Sequence, residues 1–224
     1  MSNHRLLLPL LLLLAAPAAA DSVLTLRSSI EGLKMDRQGG GEVTIWIGGD
    51  KLRRDEADSS YILRLDLGKL YILNHADKTY KVLAVPGDLE KIAAQSAAQL
   101  TVNVTATSET RKIGDWTARK YQVDLSNPEG LRLDTTIWTS KDIAAHEAYK
   151  RLAASVAALQ PGASEWSRKL EQIEGFPVLQ ETNVDMAGSR FKTREELVSV
   201  ETKEAPAGAY DIPAGYTPQP FVVQ

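Results

Sequence analysis

Three histidines and no cysteine set narrow limits on the chemistry open to this chain. His75 and Asp77 stand two residues apart in LYILNHADKTYKVL, between two apolar runs. Side chains two apart on a strand share a face, so the pair could in principle form a small acid–base or metal cluster. No nucleophile accompanies them nearby in the sequence. Ala76, Asp77 and Lys78 also read as a turn, because Asp tolerates turn geometry, and the flanking strands then explain every residue of the stretch. The turn is the favoured reading. His4 lies in the first twenty residues, and His146 has only Glu147 beside it; adjacent helical positions do not face each other. Zinc sites of several histidines, cysteine ligation, disulfides and thiol catalysis are all removed together. There is no G-x-S-x-G elbow and no Walker-type glycine loop, and Gly39-Gly40-Gly41 precedes a strand rather than a helix. Carboxylates are abundant, but spaced along strands they read as a wet face; chemistry by two of them stays open at this level. The expectation is a protein without catalytic residues, metal or cofactor.

Composition agrees with this. The chain has 224 residues and a formal net charge of −3, which gives no basic footprint for nucleic acid. Residues 1–20 carry Arg5, the apolar run Leu6–Leu14 broken by Pro9, and AAPAAA before Asp21. This is the layout of a secretory signal peptide cleaved after Ala20, and its apolar core is short for a membrane span. Residues 21–224 are expected to form one soluble, exported domain, periplasmic and monomeric, with no second stretch long enough to cross a bilayer.

The elements that would position any site are mostly strands. Val23, Leu24, Leu26 and Ile30 suggest a long first strand. Val43, Ile45 and Ile47 then share a face, with Trp46 on the other. Gly48-Gly49-Asp50 signals a turn into the charged return strand KLRRDE. Tyr61, Leu63, Leu65 and Leu67 alternate with polar and apolar partners, and LYILNH and TYKVLAV continue a meander. Asp88 can cap a short helix toward Leu100. TVNVTATSETRKI, ARKYQVDL and LRLDTTIWTS are strands again, with a turn at Asn127–Gly130. Between Lys141 and Ile173 helical spacing returns: Tyr149, Leu152, Val156 and Leu159 in one helix, Trp166, Leu170 and Ile173 in a second capped by Ser164. FPVLQETNVDM and RFKTREELVSVETKEA close the β pattern, and the proline-containing ending IPAGY predicts an ordered loop or edge segment. The fold class expected is mainly β (α+β): a curved antiparallel sheet forming a half-open barrel, with a few helices in or over its concave face.

The runs VTIWIGGDKLRRDE and LRLDLGKLYILNHADKTYKVL, the pair TRKIGDWTARKYQVDL and LRLDTTIWTSKD, and the ending IPAGY resemble a family of exported bacterial proteins of unknown function. That family lies near the lipoprotein-carrier superfamily of the LolA, LolB and RseB type. The resemblance covers most of the chain after residue 20 and is one of strand order and punctuation. It implies a periplasmic unclosed β-barrel with a helical lid and a hydrophobic cavity for acyl chains, and a role in outer membrane biogenesis. An arginine after the glycine turn, here Arg53, would hold the lid by donating to helix carbonyls, with Trp46 on the strand before it. The absence of a lipid-bearing cysteine speaks against an anchored receptor. The candidate ligand-binding residues are Ile45, Ile47, Leu63, Leu65, Trp46 and Arg53. The ligand expected is a lipid or lipoprotein acyl chain; the alternative is a sensor module that binds an envelope protein partner.

Overall fold

A computed structural model of the chain describes residues 20–32, 40–89, 91, 101–157, 169, 171–186 and 188–221. The signal-like segment, most of the helix expected after Asp88, and most of the helix from Ser164 lie outside these residues. The described residues build one curved sheet of twelve strands that does not close into a barrel. Its first half is a meander. β1 (Asp21–Glu31) is followed by β2 (Gly40–Gly48), β3 (Lys51–Asp55), β4 (Ser59–Arg64), β5 (Lys69–Asn74) and β6 (Thr79–Ala84). The second half holds β7 (Thr101–Ile113), β8 (Trp116–Ser126), β9 (Leu131–Ser140), β10 (Phe176–Met186) and β11 (Ser189–Lys203), with helix α1 (His146–Ala157) between β9 and β10. β11 pairs with β1 and joins the halves. The short β12 (Thr217–Pro218) lies parallel to β6 at one edge, and β7 forms the other edge. Every other neighbouring pair is antiparallel, as expected of strands joined by short turns.

The turns follow the residue types. Gly49 and Gly114 adopt φ of 58° and 56° at the β2–β3 and β7–β8 connections, a region in which only glycine is free of a Cβ clash. The β5–β6 tip is His75 to Lys78. The Asp77 backbone N–H donates to the Asn74 side chain at 3.1 Å, and Asp77 itself is exposed. The turn reading of that stretch therefore stands.

One strand is shorter than its alternation suggested. The run through Leu67 ends at Arg64, and Leu65–Leu67 is a 3-10 turn. Its ends are taken by other partners: the Leu65 N–H donates to the Asp50 carbonyl at 2.9 Å, and Gly68, at φ 60°, closes the turn by donating to the Leu65 carbonyl. The apolar–polar pattern continues through these residues, but their backbone groups no longer reach β5.

Both faces of the first half are covered. On one side Leu24, Val43, Ile45, Ile47, Leu63, Leu70 and Leu83 share a large apolar cluster with Leu89, Ile143, Ala145 and Leu152 from the helical connections. On the other, Ile62 and Leu73 pack with Tyr210, flanked by Trp46, Tyr71, Tyr80 and Tyr216. That cover comes from the C-terminal segment 205–216, hereafter the strap. In the second half Val102, Tyr121, Val123, Leu125 and Ile137 form a further cluster with Ile173.

Candidate functional site

Register decides which side chains meet. The two-residue turn Gly49-Asp50 pairs Gly48 with Lys51, and counting outward sets Ile47 against Leu52, Trp46 against Arg53 and Ile45 against Arg54. Directly opposed residues share a face. One row therefore runs Ile47–Leu52–Leu63–Leu70–Leu83 across five strands. It forms an unbroken apolar wall on the face that α1 covers. Leu152 is fully buried at 0% exposure, and Ile45 and Leu63 are each 1% exposed beneath the cover. Ile47 is buried in the same cluster and Leu65 packs at its margin. Four of the candidate residues are thus brought together.

Trp46 and Arg53 stand on the opposite face, under the strap. The Arg53 Nη1–H donates to the Ala209 carbonyl at 2.9 Å, and its Nε–H to Asp55 at 2.8 Å. The carbonyl held by Arg53 therefore belongs to the strap and not to a helix. The arginine on the α1 face is its neighbour Arg54, which sequence reasoning passed over. Arg54 donates to Glu195 on β11, with Nη2 at 2.5 Å, and its Nε–H lies 2.6 Å from Glu56. Arg54 is on β3 and Glu195 on β11, with β2 and β1 between them in the sheet, so the pair spans the hollow of the sheet. Desolvation works against the guanidinium charge, but Glu195 and Glu56 more than offset it and its pKa is raised. Tyr149 of α1 is close enough to feel this pair. Desolvation raises its phenol pKa first, and Glu195 adds to the shift. The Tyr149 ring lies 4.5 Å from that of Phe176. At the rim the Arg151 Nη2–H donates to the Gly49 carbonyl at 2.9 Å and to Asp50 at 3.0 Å. Among the described residues, α1 thus meets the sheet by the buried Leu152, by Tyr149 against Phe176, by Ala148 and by a few exposed polar contacts at its edge.

The strap side is built differently. His75 does find a hydroxyl partner, but from another strand: Ser60 Oγ lies 2.9 Å from its Nε2, and Tyr216 Oη lies 2.5 Å from its Nδ1. Ser60 also bonds the Asp55 carboxylate. A carboxylate only accepts, so Ser60 donates to Asp55. The Ser60 oxygen then accepts the His75 Nε2–H, and Nδ1 accepts the Tyr216 hydroxyl. This relay runs from Arg53 through Asp55, Ser60 and His75 to the strap. As a nucleophile Ser60 is poorly placed. It is 0% exposed, and the carboxylate meets the hydroxyl instead of orienting the imidazole, unlike the nucleophile–base–acid order. Further ties are Arg64 Nη1–H to Asp211 at 2.9 Å and the Tyr210 hydroxyl to Asp21 at 2.9 Å. Desolvation, with Asp21 next, raises the Tyr210 pKa.

His146 begins α1. Its Nδ1 is 2.8 Å from the Ile143 carbonyl, and its Nε2 is 3.0 Å from Glu147. Adjacent helical positions were expected to keep these apart. A residue at the first helical position can turn its ring back to the preceding loop, which makes the contact. Among the described residues no group of three His, Cys, Asp or Glu could hold a metal ion, and no helix is long and apolar enough to cross a membrane. A cleft of about 710 Å3 opens elsewhere, on β7–β11.

A family model described as a domain of unknown function, DUF4412, matches residues 32–216. Among curated proteins no match is found. Several solved structures are similar at low identity. PNGF-II has a TM-score of 0.45 and 12% identity over 91% of this chain, which spans only 32% of that protein. A DUF1329 family protein from Desulfovibrio piger has a TM-score of 0.31 and 9% identity, covering 87% of this chain and 90% of its own. A candidate outer membrane lipoprotein-sorting protein domain from Vibrio parahaemolyticus has a TM-score of 0.31 and 7% identity, covering 82% and 85%. At such values none of these likenesses bears on ligand or activity.

Proposed function

The chain belongs to the DUF4412 family, domains of unknown function, and we propose that it is a non-catalytic binding protein of the bacterial cell envelope. The ligand is an apolar chain, such as a lipid or lipoprotein acyl group, taken between the apolar wall and α1. The observation that carries this reading is the wall itself: Ile47, Leu52, Leu63, Leu70 and Leu83 in one cross-strand row of an unclosed sheet. Its cover is α1 with the connections that carry Leu89, Ile143 and Ala145, rather than a second sheet. A sheet-on-sheet core would interlock along its whole length; a helix seated by Leu152, the Tyr149–Phe176 contact and rim hydrogen bonds can lift as a unit. An acyl chain that replaces it on the wall gains about 0.8 kcal/mol per buried CH2, which offsets the loss of Leu152 from the core. The signal-like first twenty residues support an envelope location.

Native mass spectrometry of the protein purified from envelope extracts, and of lipid-stripped protein given palmitate, tests the proposal. The expected result is one acyl-bearing adduct, weakened when Leu63→Asp or Leu70→Asp places a charge on the wall. Trp46→Ala, on the opposite face, leaves it unchanged. A tightly packed protein that takes no acyl chain, or one that carries a single protein partner and no lipid, overturns it.

A further inference from the structure

The outer face of the second half carries a cleft that the acyl-binding reading does not use. Two adjacent rows of side chains wall it. The first is Asn103–Asp124–Asp134–Asn183–Lys192, one residue from each of β7 to β11, in direct register. The second, two residues along each strand, is Ser126–Arg132–Asp185–Arg190. Following register through β11 and β1 places these rows on the Trp46 side of the sheet, opposite the wall under α1. Both rows line the cleft of about 710 Å3, together with the row between them, Leu125, Leu133, Val184 and Phe191, while Val123, Thr135 and Thr182 do not. That volume is within the range of small-molecule sites.

The two rows differ in a telling way. In the second, charges alternate, Arg132 against Asp185 against Arg190, and Arg190 Nε–H donates to Asp185 at 2.8 Å. In the first, Asp124 and Asp134 stand directly opposite each other with an amide on either side and no cation between. Like charges in that position destabilise a sheet. Asp134 is bonded by the Gln122 amide. Asp124 and Arg132 make no hydrogen bond or ion pair among the described residues. Asp124, Asp134 and Arg132 are all exposed, so water screens the opposed carboxylates, and rigid strands leave these heads displayed to a ligand.

We propose that this cleft binds a neutral oligosaccharide. Asp124, Asp134 and Asp185 balance Arg132, Arg190 and Lys192, so the site selects neither an anion nor a cation by net charge. The two rows are polar or charged, and Leu125, Leu133, Val184 and Phe191 lie between them, so the lining suits a guest with both hydroxyl and C–H surface rather than a wholly apolar one. What it offers is a close set of planar two-atom heads, acceptors at Asp, donors at Arg, both at Asn. A vicinal diol presents the same mixture, since each hydroxyl donates and accepts. Asp124 accepts from hydroxyls, which removes its need for a cation, and Arg132 donates to ring or hydroxyl oxygens. The rigid strands hold both heads in place before binding.

Isothermal titration and amide NMR on the full exported chain, with chitotetraose and maltotetraose as probes, decide this. The expected result is binding of at least one probe, with shifts centred on β8–β10 and little dependence on salt. Asp124→Ala and Arg132→Ala each weaken it about tenfold or more, as loss of a charge-assisted hydrogen bond implies. Asp124→Ala should also raise the melting temperature, because it relieves the Asp124–Asp134 repulsion; a structural role would lower it. No binding of either probe overturns the proposal, as does binding that both variants retain or that requires added calcium. Palmitate uptake is measured in parallel and is expected to be unchanged in both variants, so failure here and failure of the acyl-chain reading are separate results.

Discussion

The same five strands, β2 to β6, present two faces that are closed in opposite ways. The α1 face is an apolar wall under a helix, with one charged pair, Arg54–Glu195, reaching across it. The strap face holds aromatic side chains under a segment tied atom by atom through Arg53, Arg64, His75 and Asp21. Apolar contact is non-directional and roughly proportional to area, so the α1 cover can slide or lift without leaving a buried polar atom unpaired. Hydrogen bonds are directional, and each broken inside the protein strands a donor or acceptor. The strap is therefore fixed in register, and the helix is the cover that the proposed function has exchange with a ligand.

Breaking the wall should have the largest effect. Leu63→Ala removes a side chain from a fully packed row and is expected to cost about 2–5 kcal/mol, read as a fall in the urea midpoint. A loss below about 1 kcal/mol would mean that the wall is loosely packed. Next comes the pair across the hollow. Arg54→Met leaves Glu195 with no partner. The two side chains are 25% and 31% exposed, so the cost is reduced by solvent to about 1–2 kcal/mol. Adding Glu195→Leu should recover most of it, measured as the coupling in a double-mutant cycle. On the strap face, Ser60→Ala breaks the relay in its middle and is expected to cost about 1–2 kcal/mol. Hydrogen exchange should then rise in the strap and not in α1; a matching rise in α1 would erase the contrast between the covers.

The smallest effect is on pH. Tyr210 has its pKa raised above the ordinary phenol value of 10.0. Above that pH the unfolded chain loses this proton while the folded chain keeps it, so the stabilisation present below pH 10 fades as pH rises further. Denaturation midpoints should fall on the alkaline side. Tyr210→Phe should flatten that limb without removing it, because Tyr149 on the other face is shifted the same way.

The meander could be read from the chain because alternation of period two and glycine-marked turns are local signals. The split of Ile45 from Trp46 followed from the same period. Arg54 was also within reach: a two-residue turn at Gly49-Asp50 fixes Arg54 opposite Ile45 and Arg53 opposite Trp46, once register is counted. The end of β4 at Arg64 was not, because the alternation persists through a 3-10 turn whose first N–H, that of Leu65, donates to Asp50, fifteen positions away. The His75–Ser60 contact joins the β5–β6 tip to β4, and the His75–Tyr216 contact bridges 141 positions. Such meetings depend on the final sheet, and no spacing in the sequence announces them. The two rows of the outer cleft are equally non-local, since no strand contributes more than one residue to either row.

The proposed exchange of α1 for an acyl chain on the wall is tested by tying α1 down. The chain contains no cysteine, so Asp50→Cys and Arg151→Cys can be joined by a short cleavable thiol linker across the rim contact that α1 makes with the β2–β3 turn. Binding of a fluorescent fatty acid is then followed with the linker intact and after its cleavage. If α1 must lift, the open form binds, the linked form does not and cleavage restores binding; equal binding by the linked protein, or none by the open one, overturns the exchange.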